Sequence, residues 1–562
     1  MDFDTPYLTK QIITYIGNKR KLLSLIYKAI RSSGADIKKG AAFLDLFAGS
    51  GVVSRFAKSL GFEVFSNDWE EYSFVINSAF VGTDKSEIAA LFGSEEQFLR
   101  LLDEINSLPL PDESEQYMAK YYAPEEFDVD AADFKTERLF YTRDNALAID
   151  KIRNFIENRF PKNDAKSQKQ RAVLLSLLIY EASTHTNTSG VFKSFHKGFG
   201  GHSRDALKRI LCPIRLSPPC LIDSALPAHI FREDANALVK RLPRVEIAYL
   251  DPPYNQHQYG SNYHILNTIA KWDKIPAPLE LNEKGVLKEK AAIRKDWILT
   301  KSPYCYKTTA AESFAELLEN IDAHYILVSY STDGIIPFDE MKRLCMKKGA
   351  VSIVTNEYTT FRGGKQSITK EVSNIEFILA IDTEKKSTAK SDAVIESVLF
   401  RKKLFLMFKK HYSPKKLTDN ACLIKSGKIR IPLRQKAIEL SIKDVTQIFM
   451  SSAVLKMSQG KQQRLFSLLE KCAFSSAEEE LDEILLLLSE KSAIKLLPSE
   501  KVRLTKTVPF LLKKLAQKKT KILFENRLSA VRNLESKNAE LYALISPKID
   551  DIAALARVRF SS

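Results

Sequence analysis

The sequence predicts an α/β protein: an open, largely parallel sheet with a mostly helical insertion, followed by a basic, mostly helical C-terminal region. Three observations predict it. The apolar run Ala42 to Phe47 leads through Ala48-Gly49-Ser50-Gly51 into a helical pattern from Val52 to Leu60, the strand, glycine turn and helix of a nucleotide-binding crossover. A second apolar run, Ile247 to Leu250, stops at Asp251-Pro252-Pro253-Tyr254, where Pro252 has no N–H to give a sheet. The net charge of +16 is uneven: residues 384–562 hold 36 Lys and Arg against 19 Asp and Glu, and residues 1–383 hold 49 against 50.

The elements follow in order. Tyr15-Ile16-Gly17-Asn18-Lys19 precedes an amphipathic helix running to about Ser33. Lys19 lies near a helix start, where the dipole disfavours a cation, which points to an anionic ligand, although for this motif alone a solvated basic helix start is the better reading. After the first strand and its helix, Phe62 to Phe65 forms a second strand ending at Asn67-Asp68. Asp68 lies 17 residues beyond Gly51, close to the roughly 20-residue offset of a ribose-binding acid. Gly49 and Gly51 let the backbone approach a ligand closely.

From Thr184 to Arg209 the chain is dense in glycine, cations and aromatics. Lys193, His196, Lys197, His202 and Arg204 stand there on a mobile glycine loop whose cations beside aromatics suit phosphate contact, with a plain surface loop as the alternative. His196, His202 and Cys212 lack the paired spacing of a metal site, so no metal is expected. Ala228 to Phe231 is a short apolar run before Glu233-Asp234. Beyond the tetrapeptide, the polar and aromatic stretch Asn255 to His264, with Tyr259 and Asn262, reads as a lid or a wedge leading into a helix through Trp272. His324 to Tyr330 is another buried strand, and 351–355 with 374–381 form a final pair joined through Arg362-Gly363-Gly364-Lys365. A Lys-, Ser- and Thr-rich linker at 382–392 opens the basic region.

The tetrapeptide carries the chemistry. Proline restricts both itself and the residue before it, so the Asp251 carboxylate and a neighbouring carbonyl become fixed acceptors that suit a planar exocyclic amine. Tyr254 can stack on the heterocycle bearing that amine. A plain strand-ending turn is the alternative for the tetrapeptide alone.

Taken together, Tyr15-x-Gly17-x-Lys19, Phe47-x-Gly49-x-Gly51, Asp68 and Asp251-Pro252-Pro253-Tyr254, in that order, resemble the Dam-like alpha group of adenine-specific DNA methyltransferases, over residues 6–382. The resemblance implies a Rossmann-like sheet that uses S-adenosyl-L-methionine, with 1–80 and 228–382 as catalytic domain and 81–227 as inserted target-recognition region, and it makes Lys193, His196, Lys197, His202, Arg204, Tyr259 and Asn262 the expected DNA contacts; residues 383–562 lie outside it and read from composition as a basic, mostly helical domain of open role. It assigns Asp251, Pro252, Pro253 and Tyr254 to the reacting base. To the cofactor it assigns Phe47, Gly49 and Gly51 beneath the methionine portion, Asp45 near its amino group, Asp68 on the ribose, Asp234 on the adenine, and Tyr15 and Lys19 over the methionine end. The implied partners are double-stranded DNA and a cognate restriction endonuclease without a stable complex. Cytosine amino methylation and a catalytically silent DNA-binding protein are the alternatives.

Six scattered cysteines, an acidic N-terminus without a signal-peptide core, and no apolar run of spanning length point to a cytoplasmic chain without disulfides or membrane segments. The lysine clusters beyond residue 400, such as Lys513-Lys514 and Lys518-Lys519, suit a polyanion.

Overall fold

A computed structural model describes residues 3–35, 37, 40–201, 204–355, 375–407, 410–420, 423–425, 428–433, 436–441, 454, 457–490 and 498–561. These pack into two compact units that part in chain order after Ile395.

The first unit is built on a seven-stranded sheet of order β3-β2-β1-β4-β5-β7-β6. Its strands are β1 (Ala42–Asp45), β2 (Glu63–Asn67), β3 (Ala228–Phe231), β4 (Val245–Leu250), β5 (Ala323–Ser331), β6 (Ala350–Thr355) and β7 (Glu376–Asp382). The five strands β3, β2, β1, β4 and β5 run parallel, while β7 pairs antiparallel with both β5 and β6, giving the expected terminal strand pair. The connecting residues Arg362 to Lys365 lie outside the described residues.

The central strands read as continuous apolar runs because both faces are covered. Leu44, Ala248, Leu250 and Val328 face one apolar core, and their neighbours Phe43, Ile247, Tyr249 and Leu327 face the other. Helices α1 (Leu23–Ser33), ended by Gly34 at φ 90°, and α2 (Val52–Ser59) close the second face.

A third core is helical. It joins Ile76 of α3 (Glu71–Phe80), Ile152 of α4 (Arg143–Arg159), Leu178 of α5 (Ala165–Thr184) and Ile269 of α6 (His264–Lys271). The helices between β2 and β3 thus share one core with the helix that follows Asp251. Thr142 and Asp164 start α4 and α5 as side-chain caps on Asn145 N and Ser167 N.

The helix Ala389–Met407 begins in the first unit, where Ile395 is fully buried and Lys342 donates to Asp392 at 2.6 Å. The second unit is mainly helical; Leu481, Leu512, Ile545 and Ile549 are buried in its core. Sequence reading missed one part of it, a three-stranded antiparallel sheet of Leu423–Lys425, Lys428–Leu433 and Lys436–Ser441. The alternation Lys428-Ile429-Arg430-Ile431 was the available signal.

Candidate active site

The two motifs that lie two hundred residues apart meet on neighbouring strands. Asp45 of β1 is in register with Tyr249 of β4, and between these strands the sheet order changes direction. A crevice at that point, beyond the carboxyl ends of the strands, is where an open α/β sheet binds ligands. An open cavity occupies it. Asp251, Pro252, Pro253 and Tyr254 all line it, with Tyr15, Phe47, Asp68 and Asp234.

The glycine turn is held from several sides. Gly49 N donates to Asp68 Oδ2 at 2.7 Å, Glu70 N donates to Asp68 Oδ1 at 2.9 Å, and Ser73 Oγ donates to the Gly49 carbonyl at 2.6 Å. Gly49 (φ 53°) and Gly51 (φ 72°) are left-handed, and neither has space for a side chain. A Cβ would stand 2.5 Å from Tyr15 Cε1 at Gly49 and 2.5 Å from Asn77 Oδ1 at Gly51. Burial raises the Asp68 pKa, opposed by the backbone N–H groups of Glu70 and Gly49. Asp234 caps the next short helix, accepting from Ala237 N at 2.9 Å.

Tyr15 is clamped. Its ring stacks at 5.2 Å on Tyr259 and 5.1 Å on Tyr263, while Ile16 N donates to the Tyr263 hydroxyl and the Tyr259 hydroxyl donates to Ile16 O. Tyr259, expected as a DNA contact, is therefore a wall of the cavity. Asn262, expected in the same role, is 2% exposed, and its carbonyl accepts from Phe192 N at 2.7 Å. That burial removes it from any surface DNA could reach.

Lys19, expected over the methionine end of the cofactor, is paired with Asp251. Its Nζ lies 3.0 Å from Asp251 Oδ1, with side chains 4% and 16% exposed, and 5.2 Å from the centre of the Tyr254 ring. Gly17 packs beside Tyr254, whose hydroxyl would lie 3.4 Å from a Cβ there. The N-terminal motif thus braces the tetrapeptide. Burial works against the Lys19 ammonium, but Asp251 facing it, with Tyr254 and Glu376 behind, holds its pKa well above the ordinary lysine value. Burial raises the Asp251 pKa and Lys19 draws it back; we take the pair as ionised, since neutralising one member would strand the other. Lys19 pulls the Tyr254 hydroxyl down while burial and nearby carboxylates push it up, to about 12, so the ring stays neutral.

Asp45 lies one layer below. Ser54 Oγ donates to its Oδ2 at 2.7 Å, the other oxygen is buried without a hydrogen-bond partner among the described residues, and burial pushes its pKa up to about 7. It does not line the cavity.

Several residues escaped sequence reading. Trp69, Thr300 and Tyr304 line the cavity; Tyr304 packs edge-on against Phe47 at 5.3 Å. Glu376 at the start of β7 is a buried carboxyl near Lys19 and Asp251, with Oε2 unpartnered among the described residues. Glu70 accepts from Asn267 Nδ2 at 2.5 Å and from Thr300 Oγ1 at 3.0 Å, and burial raises its pKa to about 7.

Glu70 has a measurable consequence. Its folded pKa exceeds the unfolded one, so its contribution to stability is full below about pH 4.5 and is lost as pH rises through about 7. Glutamine can keep the Asn267 bond and donate to the Thr300 hydroxyl. Between pH 4.5 and 8, Glu70→Gln should therefore gain up to about 3 kcal/mol relative to the parent chain, read from denaturant unfolding at each pH. A pH-independent difference would contradict it.

In the window from 184 to 209, Lys193 and Lys197 are exposed, and Lys197 sits 5.4 Å over the Phe134 ring. Arg204 pairs with Asp130 at 2.6 Å. His196 is partly buried, and the loop is tied to Asn187, which accepts from Gly200 N and donates to the His196 carbonyl. His202 lies outside the described residues. Among the described residues no group of His, Cys, Asp and Glu could hold a metal.

Comparison with known proteins agrees with this geometry. Residues 15–328 match the family described as D12 class N6 adenine-specific DNA methyltransferase. The type II methyltransferase M.NlaIII of Neisseria lactamica is 30% identical over 366 residues, 65% of this chain and 97% of that protein. M.CviAII of Paramecium bursaria Chlorella virus 1 is 28% identical over 372 residues, 66% of this chain and 99% of that one. Modification methylase LlaI of Lactococcus lactis subsp. lactis is 29% identical over 382 residues, 67% of this chain but 56% of that longer protein. With both motifs converging on one crevice and the family match spanning them, the chain belongs to the D12 class of N6 adenine-specific DNA methyltransferases.

Proposed function

We propose that the cavity binds S-adenosyl-L-methionine beside an adenine extruded from double-stranded DNA, and that the chain is the modification enzyme of a restriction system. The observation that carries this reading is the shared cavity, in which the tetrapeptide faces Asp68, Asp234 and Phe47. The residues present fit the cofactor: the turn at Gly49 and Gly51 excludes side chains, and Asp68 and Asp234 bring carboxylates to the cavity wall.

When bound, the cofactor supplies an activated sulfonium methyl group. Adenine's amine is a weak nucleophile because its lone pair is delocalised, so the protein's work is alignment and charge stabilisation. Lys19 engages Asp251 Oδ1, and the second oxygen with the Pro252 carbonyl accepts the two amine hydrogens. The ionised Asp251 then favours a nitrogen that turns positive during transfer. Tyr254, its hydroxyl neutral, stacks on the base. Tyr15, held against the rings of Tyr259 and Tyr263, forms the wall on the cofactor side.

Incubating the protein with DNA and methyl-labelled cofactor, then analysing the nucleosides, should place label in N6-methyladenine. Label in N4-methylcytosine, or none, would overturn the reading. A cognate endonuclease acting without a stable complex and a cytoplasmic setting go with this reading. No helix among the described residues is long and apolar enough to cross a membrane.

The basic second unit adds sequence-independent affinity. Lys513, Lys518 and Lys519 are exposed there. Changing all three to Ala should lower the salt slope of DNA binding by up to about 0.9 for each phosphate left without its lysine, with the methylated sequence unchanged. An unaltered slope in a salt titration would remove this role.

A further inference from the structure

The turn Lys295–Thr300 stands at the cavity rim and ends in two exposed apolar side chains, Ile298 at 59% and Leu299 at 80% exposure. A single exposed leucine needs no explanation. This pair is different because of where and how it is held. Thr300, the next residue, lines the cavity and donates to Glu70. Before the pair, Arg294 forks onto Asp273 at 2.7 and 2.6 Å and reaches Asp296, which also meets Lys271 at 2.8 Å. After it, Ser302 exchanges two hydrogen bonds with Gln258, at 2.8 and 3.1 Å. The tip is thus apolar and solvent-facing on a base anchored at both ends. It is flanked by exposed Lys295 and Lys301, the latter 4.9 Å over the Tyr306 ring.

Folding gains little from such a tip. An apolar wedge between cations beside a base pocket matches duplex DNA: cations take the backbone phosphates, and aliphatic side chains enter between base steps and unstack them. We propose that Ile298 and Leu299 insert into the duplex next to the target and fill the space the extruded adenine leaves. In the segment 255–264, expected from sequence as a lid or wedge, Tyr259 faces the cavity and Asn262 and Tyr263 are buried, which leaves the polar Gln256 and His257 as its exposed side chains. The assignment rests on the cavity being the adenine pocket.

The test uses the full chain and a duplex bearing its methylated sequence, found first by sequencing modified positions in DNA from cells expressing it. Single-turnover transfer is measured with the target adenine paired to thymine and with it facing an abasic site, where extrusion costs less. Ile298→Ala/Leu299→Ala should lose at least roughly tenfold on the paired duplex and recover most of that loss on the abasic one. A fluorescent 2-aminopurine at the target position should brighten on binding the parent chain and less with the variant. Equal rates for parent and variant on the paired duplex, or equal losses on both duplexes, would overturn the wedge. Failure of the pocket reading is separate: the parent chain would then methylate neither duplex at adenine.

Discussion

Asp251→Ala should lower methyl transfer by about a thousandfold or more while leaving S-adenosyl-L-methionine binding within a few-fold of the parent chain. The rate loss follows from position. Asp251 lies where the β4 backbone ends against Pro252 and lines the cavity, and in the proposed function it supplies both the amine acceptor and the charge that compensates a nitrogen turning positive. Removing one preorganised electrostatic partner of a transition state costs roughly 10²- to 10³-fold, and here alignment is lost with it. Cofactor binding survives because Gly49, Asp68 and their hydrogen bonds belong to β1, β2 and the turns beyond them. The substitution also strands Lys19, 3% exposed, leaving Glu376 as the carboxyl near it among the described residues. Breaking a buried pair in this way costs about 3–5 kcal/mol in the unfavourable limit. Asp251→Asn is therefore the companion variant, since it keeps size and an acceptor but removes the charge. Single-turnover assays with labelled methyl and calorimetric titration of the cofactor separate the two effects. Activity within tenfold of the parent for Asp251→Ala would remove the tetrapeptide from the chemistry.

The residues that sequence reading placed best are those whose role follows from backbone geometry. Phe47-Ala48-Gly49-Ser50-Gly51 announces a tight approach because glycine adopts the left-handed angles found there without the penalty a side chain brings. The Pro252-Pro253 stop announces the end of a strand. What the one-dimensional pattern cannot show is which ends become neighbours. The contact of Lys19 with Asp251 needs the N-terminal motif to fold back over the end of β4, so a cation read as a cofactor contact is the partner of the proposed amine acceptor. Glu376, Thr300 and Tyr304 sit in segments with no recognisable spacing and reach the site through the antiparallel terminal strand and the strap after Trp272. Asn262 misled in the opposite direction: a polar residue in a polar stretch looks exposed, yet its backbone pairs with Phe192 inside the helical core. In the C-terminal region, scarce glycine and frequent lysine hid the alternation of Lys428 to Leu433.

Gly49→Ala should raise the cofactor dissociation constant at least tenfold, more than its small volume suggests. Two costs combine. At φ 53° an alanine carries the left-handed penalty, about 1–2 kcal/mol. Its methyl would also lie 2.5, 2.8 and 2.9 Å from Cε1, Cζ and Oη of Tyr15. A flexible neighbour could turn aside, but Tyr15 is stacked on Tyr259 and Tyr263, and the adjoining Ile16 is bonded to both hydroxyls. The strain therefore falls on the turn. Any shift of Gly49 pulls on its N–H bond to Asp68 and on its carbonyl bond from Ser73, displacing the carboxylate proposed to hold the ribose. Unfolding measurements should show a loss of about 1–3 kcal/mol, so the binding assay is run below the unfolding transition. The paired variant Gly49→Ala/Tyr15→Leu, compared with Tyr15→Leu alone because Tyr15 also lines the cavity, separates clash from backbone strain: leucine lacks the ring atoms that crowd the methyl, so Gly49→Ala should cost less affinity in that background than in the parent chain. Unchanged affinity in Gly49→Ala would mean the turn does not approach the cofactor, and the ribose assignment of Asp68 would fall with it.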